Sequence, residues 1–373
     1  MKNLLRVVRF TTRVAAIAAG LSLASCQKEP SVTPSSEDLL STQQESIITF
    51  QGLKVRKPSG VPREMFDFAT GKDVREFFDR KYYANSNGRL SANKIPAGIF
   101  YATLEKIVNK YPSELGMPPY KKEDLKQIHK DFPDLKKDNE EEIQKNAAII
   151  VEYYSRLISN EFEPALAELS ASNSGGRLEI PIENGAGNQW EQAVTRDFPQ
   201  AGLSVYNAAL DARNWATEQF GLPGYGDAGN LDNWRGNAFK HAAWNAQGVR
   251  KMVNGGYERF RAFYIMKLFA TAHEKDPNVN VILTAESNMM DFHNNAQGRT
   301  YMKNNIGWGI FGLRSIPGEG NIRNDLGNAC ANACFIGSGQ SILNLTYGNI
   351  SAIADADYVD YQGYAALQYN PTP

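Results

Sequence analysis

Cysteine is nearly absent from this 373-residue chain: only Cys26, Cys330 and Cys334 occur. Three cysteines exclude a fold held together by a disulfide framework. No apolar run reaches the roughly 20 residues that a membrane-spanning helix needs. No basic block and no interleaving of basic with aromatic residues is present, and the formal net charge is −1. Nucleic acid is therefore not an expected partner. Several catalytic signatures are missing too. The zinc-protease pattern H-E-x-x-H fails, because the fifth position after His273-Glu274 is Pro277. Neither G-x-x-x-x-G-K-[ST] nor G-x-S-x-G occurs, and Gly337-Ser338-Gly339 is too short to stand in for a nucleophile elbow. Histidine is scarce as well. Of four, three fall within 53 residues: His241, His273 and His293. Histidine exchanges protons near neutral pH and is the commonest metal ligand. Any chemistry is to be sought in that stretch.

The N-terminus reads as a targeting segment. Lys2, Arg6, Arg9 and Arg13 precede a short apolar run from Val14 to Ala24. The run ends Leu21-Ser22-Leu23-Ala24-Ser25-Cys26, which resembles the bacterial lipobox. The resemblance implies cleavage before Cys26 and a lipid (diacylglycerol and palmitate) on its thiol. Gln27-Lys28-Glu29-Pro30 then resembles the export signal of surface lipoproteins in the Bacteroidetes group. The expected location is an outer membrane, the cell surface being admitted by that signal, with the membrane reached through the lipid anchor. Loss of residues 1–25 removes four positive charges, leaving 36 Lys+Arg against 41 Asp+Glu, a net charge of −5.

Residues 26–45 are rich in Ser, Thr, Pro, Gln and Glu, and are expected to be a flexible tether. Ile47-Ile48-Thr49-Phe50 suggests a short strand. Residues 46–170 otherwise read as mostly helical, with apolar spacing over Ile99–Tyr111 and a long helix over Asn139–Leu169. Ser170 to Gly176 and the Gly/Asn patch at 184–188 mark a boundary, placed at 171–188. Residues 189–373 form the expected second domain, with helices near 201–220, 235–253, 256–275 and 286–304. The third, apolar almost all round, is expected to be central. After Asn305 the chain is Gly-rich and reads as an irregular tail. The expected fold class is mainly α: a helical N-terminal region, then an all-α C-terminal domain with three or four core helices. Cys330 and Cys334 stand four apart. An exported protein oxidises such a pair if the segment is a loop, since a regular helix places i and i+4 poorly for a bridge.

Asn237, His241 and Asn245 stand at i, i+4, i+8, one face of one helix, among Phe239, Ala242, Ala243, Ala246 and Val249. Asp291, Asn295 and Arg299 repeat that spacing, with Met289, Met290 and Phe292 as apolar partners. His273 and Glu274 end the helix between them. Polar rows on apolar helices are either buried and hydrogen-bonded or line a cavity. Two chemistries remain open. In one, a divalent metal is held by ligands drawn from His241, His273, Asp291 and His293, with Glu274 as base. In the other, a histidine held by Asp291 works as a metal-free acid or base. Both are hydrolase chemistry. A third reading has the same residues only fixing helix register as a surface binding or structural module.

The order N-A-F-[KR]-H-A-x-W-N, A-H-E, M-D-x-[HY]-N-N-x-x-G-R is similar to an uncharacterised bacterial domain family. That family occurs in secreted and surface proteins, including the C-terminal ends of polymorphic toxins. The resemblance spans about residues 200–304 and admits a toxin-like effector as a further reading. Lys240 stands where Arg is usual, and the position of His293 takes Tyr in relatives. The core set implied is His241, His273, Glu274, Asp291, Asn294, Asn295 and Arg299. Of all the candidates, His241, His273, Glu274, Asp291 and Arg299 are expected to be catalytic, and Asn237, Asn245, His293, Asn294 and Asn295 to bind.

Overall fold

The computed structural model describes residues 45–83, 95–136, 140–172, 187–221, 235–274, 286–308, 314–331, 335–336 and 368–369. Ser46–Phe50 (β1) and Leu53–Lys57 (β2) pair antiparallel. Gln51 and Gly52 between them both have positive φ, 47° and 89°. That is the two-residue turn whose twist suits a hairpin. Thr70 and Asp73 then cap one another, opening α1 (Gly71–Tyr83). α2 (Ala97–Val108) and α3 (Lys122–Asp131) follow. The long helix expected over 139–169 is two: α4 (Glu140–Lys145) and α5 (Ala147–Ser172). They part at Asn146, whose side-chain amide bonds back to the Glu142 carbonyl, a local competition that weakens helix propagation.

α6 (Gln189–Asp197) starts at an Asn188/Glu191 capping box. α7 (Pro199–Phe220) opens on a proline and closes on Gly221 at φ 64°, left-handed as such stops require. Then come α8 (Arg235–Asn254), α9 (Arg259–His273) and α10 (Glu286–Asn305), within three residues of the helices expected there. α11 (Glu319–Ala331) lies in the stretch read as an irregular tail. Its apolar row is sparse, Ile322, Leu326 and Cys330, too short a pattern to stand out against the surrounding glycines. Gly307–Trp308 (β3) pairs with Arg314–Ser315 (β4), and Phe335–Ile336 (β5) with Gln368–Tyr369 (β6). The fold is mainly helical, as the periodicity predicts.

The central helix is α8, not α9. α8 packs on α7, α9, α10 and α11. Its Ala238, Ala242, Ala243, Ala246 and Gly248 let neighbours approach from several sides. α9, though more apolar, leaves Phe260 and Tyr264 exposed. Small volume, rather than hydrophobicity, decides which helix is surrounded.

The boundary expected at 171–188 does not coincide with a break in the core. Residues Thr42–Pro373 form one compact unit. α6 packs on α1, and α7 packs on α2 and α5, so helices from either side interleave. One hydrophobic cluster runs from Phe50 to Cys330. Arg196 of α6 bonds Glu163 of α5 and Asp79 of α1, all three buried. The linker composition marks chain that crosses a surface, which a single body also needs. Of the boundary itself, 173–186 lies outside the described residues, as do the signal segment, Cys26, the tether to residue 44 and Cys334. Cys330 is buried in α11, and burial pushes its thiol up to about 12.

Candidate functional site

α8 and α10 bring the two polar rows face to face. Asn237, His241 and Asn245 are buried along α8, while Asn295 and Arg299 are buried along α10 above a half-buried Asp291. The approach is close because of Gly298. A Cβ there would sit 2.0 Å from the Ala242 carbonyl oxygen, so only glycine allows this separation. The G-R pair in the motif thus has two jobs. Gly298 admits α8, and Arg299 reaches across to it.

The contacts between the rows form a directed chain. Arg299 Nη1 donates to Asn245 Oδ1 at 2.6 Å. Asn245 Nδ2 then donates to Asn295 Oδ1 at 2.6 Å and to its own helix's His241 carbonyl at 3.1 Å. Asn295 Oδ1 also faces His241 Nδ1 at 3.2 Å. On the other side of the ring, His241 Nε2 lies 3.2 Å from Asp291 Oδ1, which accepts from Asn237 Nδ2 at 3.2 Å as well. Burial, together with Lys240 and His273, pushes the His241 pKa well below the ordinary histidine range.

A second junction joins α9 to α6 end to end. Glu274 is the C-cap of α9 and is buried. Asn188, the N-cap of α6, donates from Nδ2 to the carbonyls of Ala272 (2.9 Å) and His273 (3.2 Å). As the last carbonyls of the helix they lack an N–H one full turn further on to accept from. Asn188 Oδ1 accepts from the backbone of Trp190 and Glu191, and Glu191 Oε2 accepts from Gly187 and Asn188. Gly187 has φ 90°, and a Cβ there would meet Ala97 at 2.7 Å. The free oxygen of Glu191 stands 3.5 Å from His273 Nδ1, an ion-pair distance rather than a tight hydrogen bond. Burial pulls the His273 pKa down, but the Glu191 carboxylate outweighs it and pushes the ring up to about 9. The His273 ring lies 5.9 Å from His241 and 5.1 Å from Trp244.

His241, Glu274 and Asp291 converge: one donor atom from each lies within 4.8 Å of the other two. His273 and His293, both expected as ligands, are not in this group. His273 turns to Glu191 instead. His293 stands two residues beyond Asp291, some 200° round the helix, and is buried away from the row. Burial lowers its pKa to about 3. Asn294 is likewise buried on α10, off the Asp291–Asn295–Arg299 row.

Glu191 is the residue that sequence reasoning missed. The signal was present as Asn188-x-x-Glu191, a capping box at the edge of what reads as linker. No curated protein and no solved structure matches the chain. Among protein families, residues 193–309, from within α6 to just past α10, match a domain of unknown function (DUF6973).

Proposed function

We propose that this chain is an exported lipoprotein, anchored in the outer membrane through Cys26, whose helical body is a hydrolase. One observation supports the hydrolase reading most: His241, Glu274 and Asp291 come from three different helices and meet in one buried pocket. Burial of an imidazole between two carboxylates costs solvation that a fold gains nothing from repaying. The chemistry assigned to the pocket is activation of a water. Glu274 takes the proton as the water attacks an electrophilic carbon or phosphorus, His241 and Asp291 orienting it, and returns that proton to the leaving group as its bond to the carbon or phosphorus breaks. Arg299, Asn245 and Asn295 set the ring of His241, and Asn237 sets Asp291.

The same bonds also serve helix register, and Glu274→Gln separates the two roles. A panel of esters, phosphoesters, peptides and glycosides is offered to the wild type and the variant. The hydrolase reading expects one class to be cleaved, with a loss of about 100-fold or more in the variant, while the melting temperature holds. A wild type that cleaves none of them removes the reading. For the anchor, Cys26→Ala should move the protein from the membrane to the soluble fraction. If the variant still takes up labelled fatty acid, the anchor lies elsewhere.

A further inference from the structure

We infer that His241, Glu274 and Asp291 form a binding site for a divalent first-row metal ion, His241 bonding through Nε2. The inference rests on the same pocket as the hydrolase reading and adds a cation to it, Glu274 ligating through one carboxylate oxygen and keeping the other as the base.

The argument begins at Arg299. A guanidinium has five donors and no acceptor, so the Asn245 atom facing it at 2.6 Å is the amide oxygen. The amide nitrogen of Asn245 then points at Asn295, whose facing atom must be its oxygen. That oxygen accepts, so the His241 nitrogen that meets it, Nδ1, carries the hydrogen. A histidine ligates as the neutral ring, and with Nδ1 protonated the lone pair it offers is on Nε2. This lone pair faces Asp291 Oδ1 at 3.2 Å, and a carboxylate oxygen is also an acceptor. Glu274 adds a third acceptor to the same small, buried volume. A divalent cation between them would be held by all three atoms at once. Four residues, Arg299, Asn245, Asn295 and Asn237, are spent on holding that arrangement.

The spacing suits an ion. Bonds of about 2.1 Å in a tetrahedron put neighbouring donors about 3.4 Å apart, close to the 3.2 Å between Nε2 and Asp291. Glu274, within 4.8 Å, closes the rest by side-chain rotation. An Nδ1–H bonded to an amide oxygen is the usual outer partner of a metal-bound histidine. One imidazole and two carboxylates select zinc, manganese or iron(II). Copper(I) wants thiolate or thioether, and calcium wants six or more oxygens. Three protein ligands leave a position open for water, as catalytic sites do.

The test uses the full chain in detergent, stripped with a chelator and titrated calorimetrically with zinc chloride and with manganese chloride. One ion per chain is expected, along with a rise in melting temperature on adding it. Glu274→Gln and Asp291→Asn should abolish both effects. Asn295→Ala touches no ligand, and should weaken binding by about 10–100-fold through the loosened ring. Wild-type protein that binds neither ion, or shows no thermal gain from either, overturns the inference without any variant needing to fold. Binding that survives both carboxylate variants overturns it too. Hydrolysis by stripped protein that binds no ion would sink the metal site and keep the hydrolase. An ion bound with no substrate cleaved would keep the site and sink the hydrolase.

Discussion

Replacing Arg196 with methionine should cost this protein about 3–5 kcal/mol, the usual penalty for leaving a buried charge unpaired. Arg196 sits on α6 and is buried. Its Nε donates to Glu163 Oε1 at 2.8 Å, and its Nη2 donates to Glu163 Oε2 at 2.7 Å and Asp79 Oδ1 at 2.6 Å. Methionine is close in length and packs acceptably against Tyr83, whose ring the guanidinium overlies. The loss is therefore electrostatic. Asp79 keeps Arg75 at 3.2 Å, so its share is small. Glu163 has no such substitute among the contacts described, and carries most of the penalty. At the lower end of about 2–4 °C per kcal/mol, appropriate to a long chain, the melting temperature should fall by roughly 6–10 °C. The pH dependence has a definite sign. Burial already raises the Glu163 carboxyl, with Arg196 opposing it. Without Arg196 its folded pKa rises further above the unfolded value of about 4.3. The native state then binds the proton more readily than the unfolded state, so stability falls as pH rises through that window. The deficit should be smallest near pH 4 and largest above the folded pKa of Glu163. Thermal unfolding followed by circular dichroism across that range measures it. The double variant Glu163→Gln/Arg196→Met removes the stranded charge and should recover most of the loss. A single variant that melts with the wild type, a double variant no better than the single, or a deficit that grows on acidification would each refute this reasoning.

Gly298→Ala drives a Cβ to 2.0 Å from the Ala242 carbonyl oxygen, so α8 and α10 must separate. The expected cost is about 1–3 kcal/mol, and ion affinity should fall with it because Asn295 loses its reach to His241; chemical denaturation matching the wild type would contradict this. Asn188→Ala strips the cap from α6 and the bonds to the last α9 carbonyls. It should cost about 0.5–2 kcal/mol, typically 1, and Asn188→Asp, which keeps the cap but not the Nδ2 donor, should recover only part. Full recovery by aspartate would show that the α9 junction contributes nothing.

The helices were legible because their spacing is a local property. Asn237–His241–Asn245 and Asp291–Asn295–Arg299 had to lie along single faces wherever their helices went. Those rows named His241 and Asp291; Glu274 and His273 came from the end of the helix between them and His293 from the clustering of histidines, and neither signal could say which of them meet. A residue's angle round its own helix follows from the sequence. Which neighbour lies at that angle depends on how the helices pack.

The sequence by itself therefore determined the helical class, the two polar rows and the segment in which any chemistry lies. Each of these follows from periods of three to four residues and from local capping chemistry. Tertiary structure decided the rest. It made α8 the central helix, since small side chains admit neighbours on several sides. It ran one core across a stretch that composition marks as linker, since Ser and Gly report solvation and not the partners of flanking helices. It gave His273 to Glu191, 82 residues earlier in the chain, on the helix that Asn188 caps. And it brought one donor atom each from His241, Glu274 and Asp291 within 4.8 Å of one another, α10 lying close against α8 at Gly298.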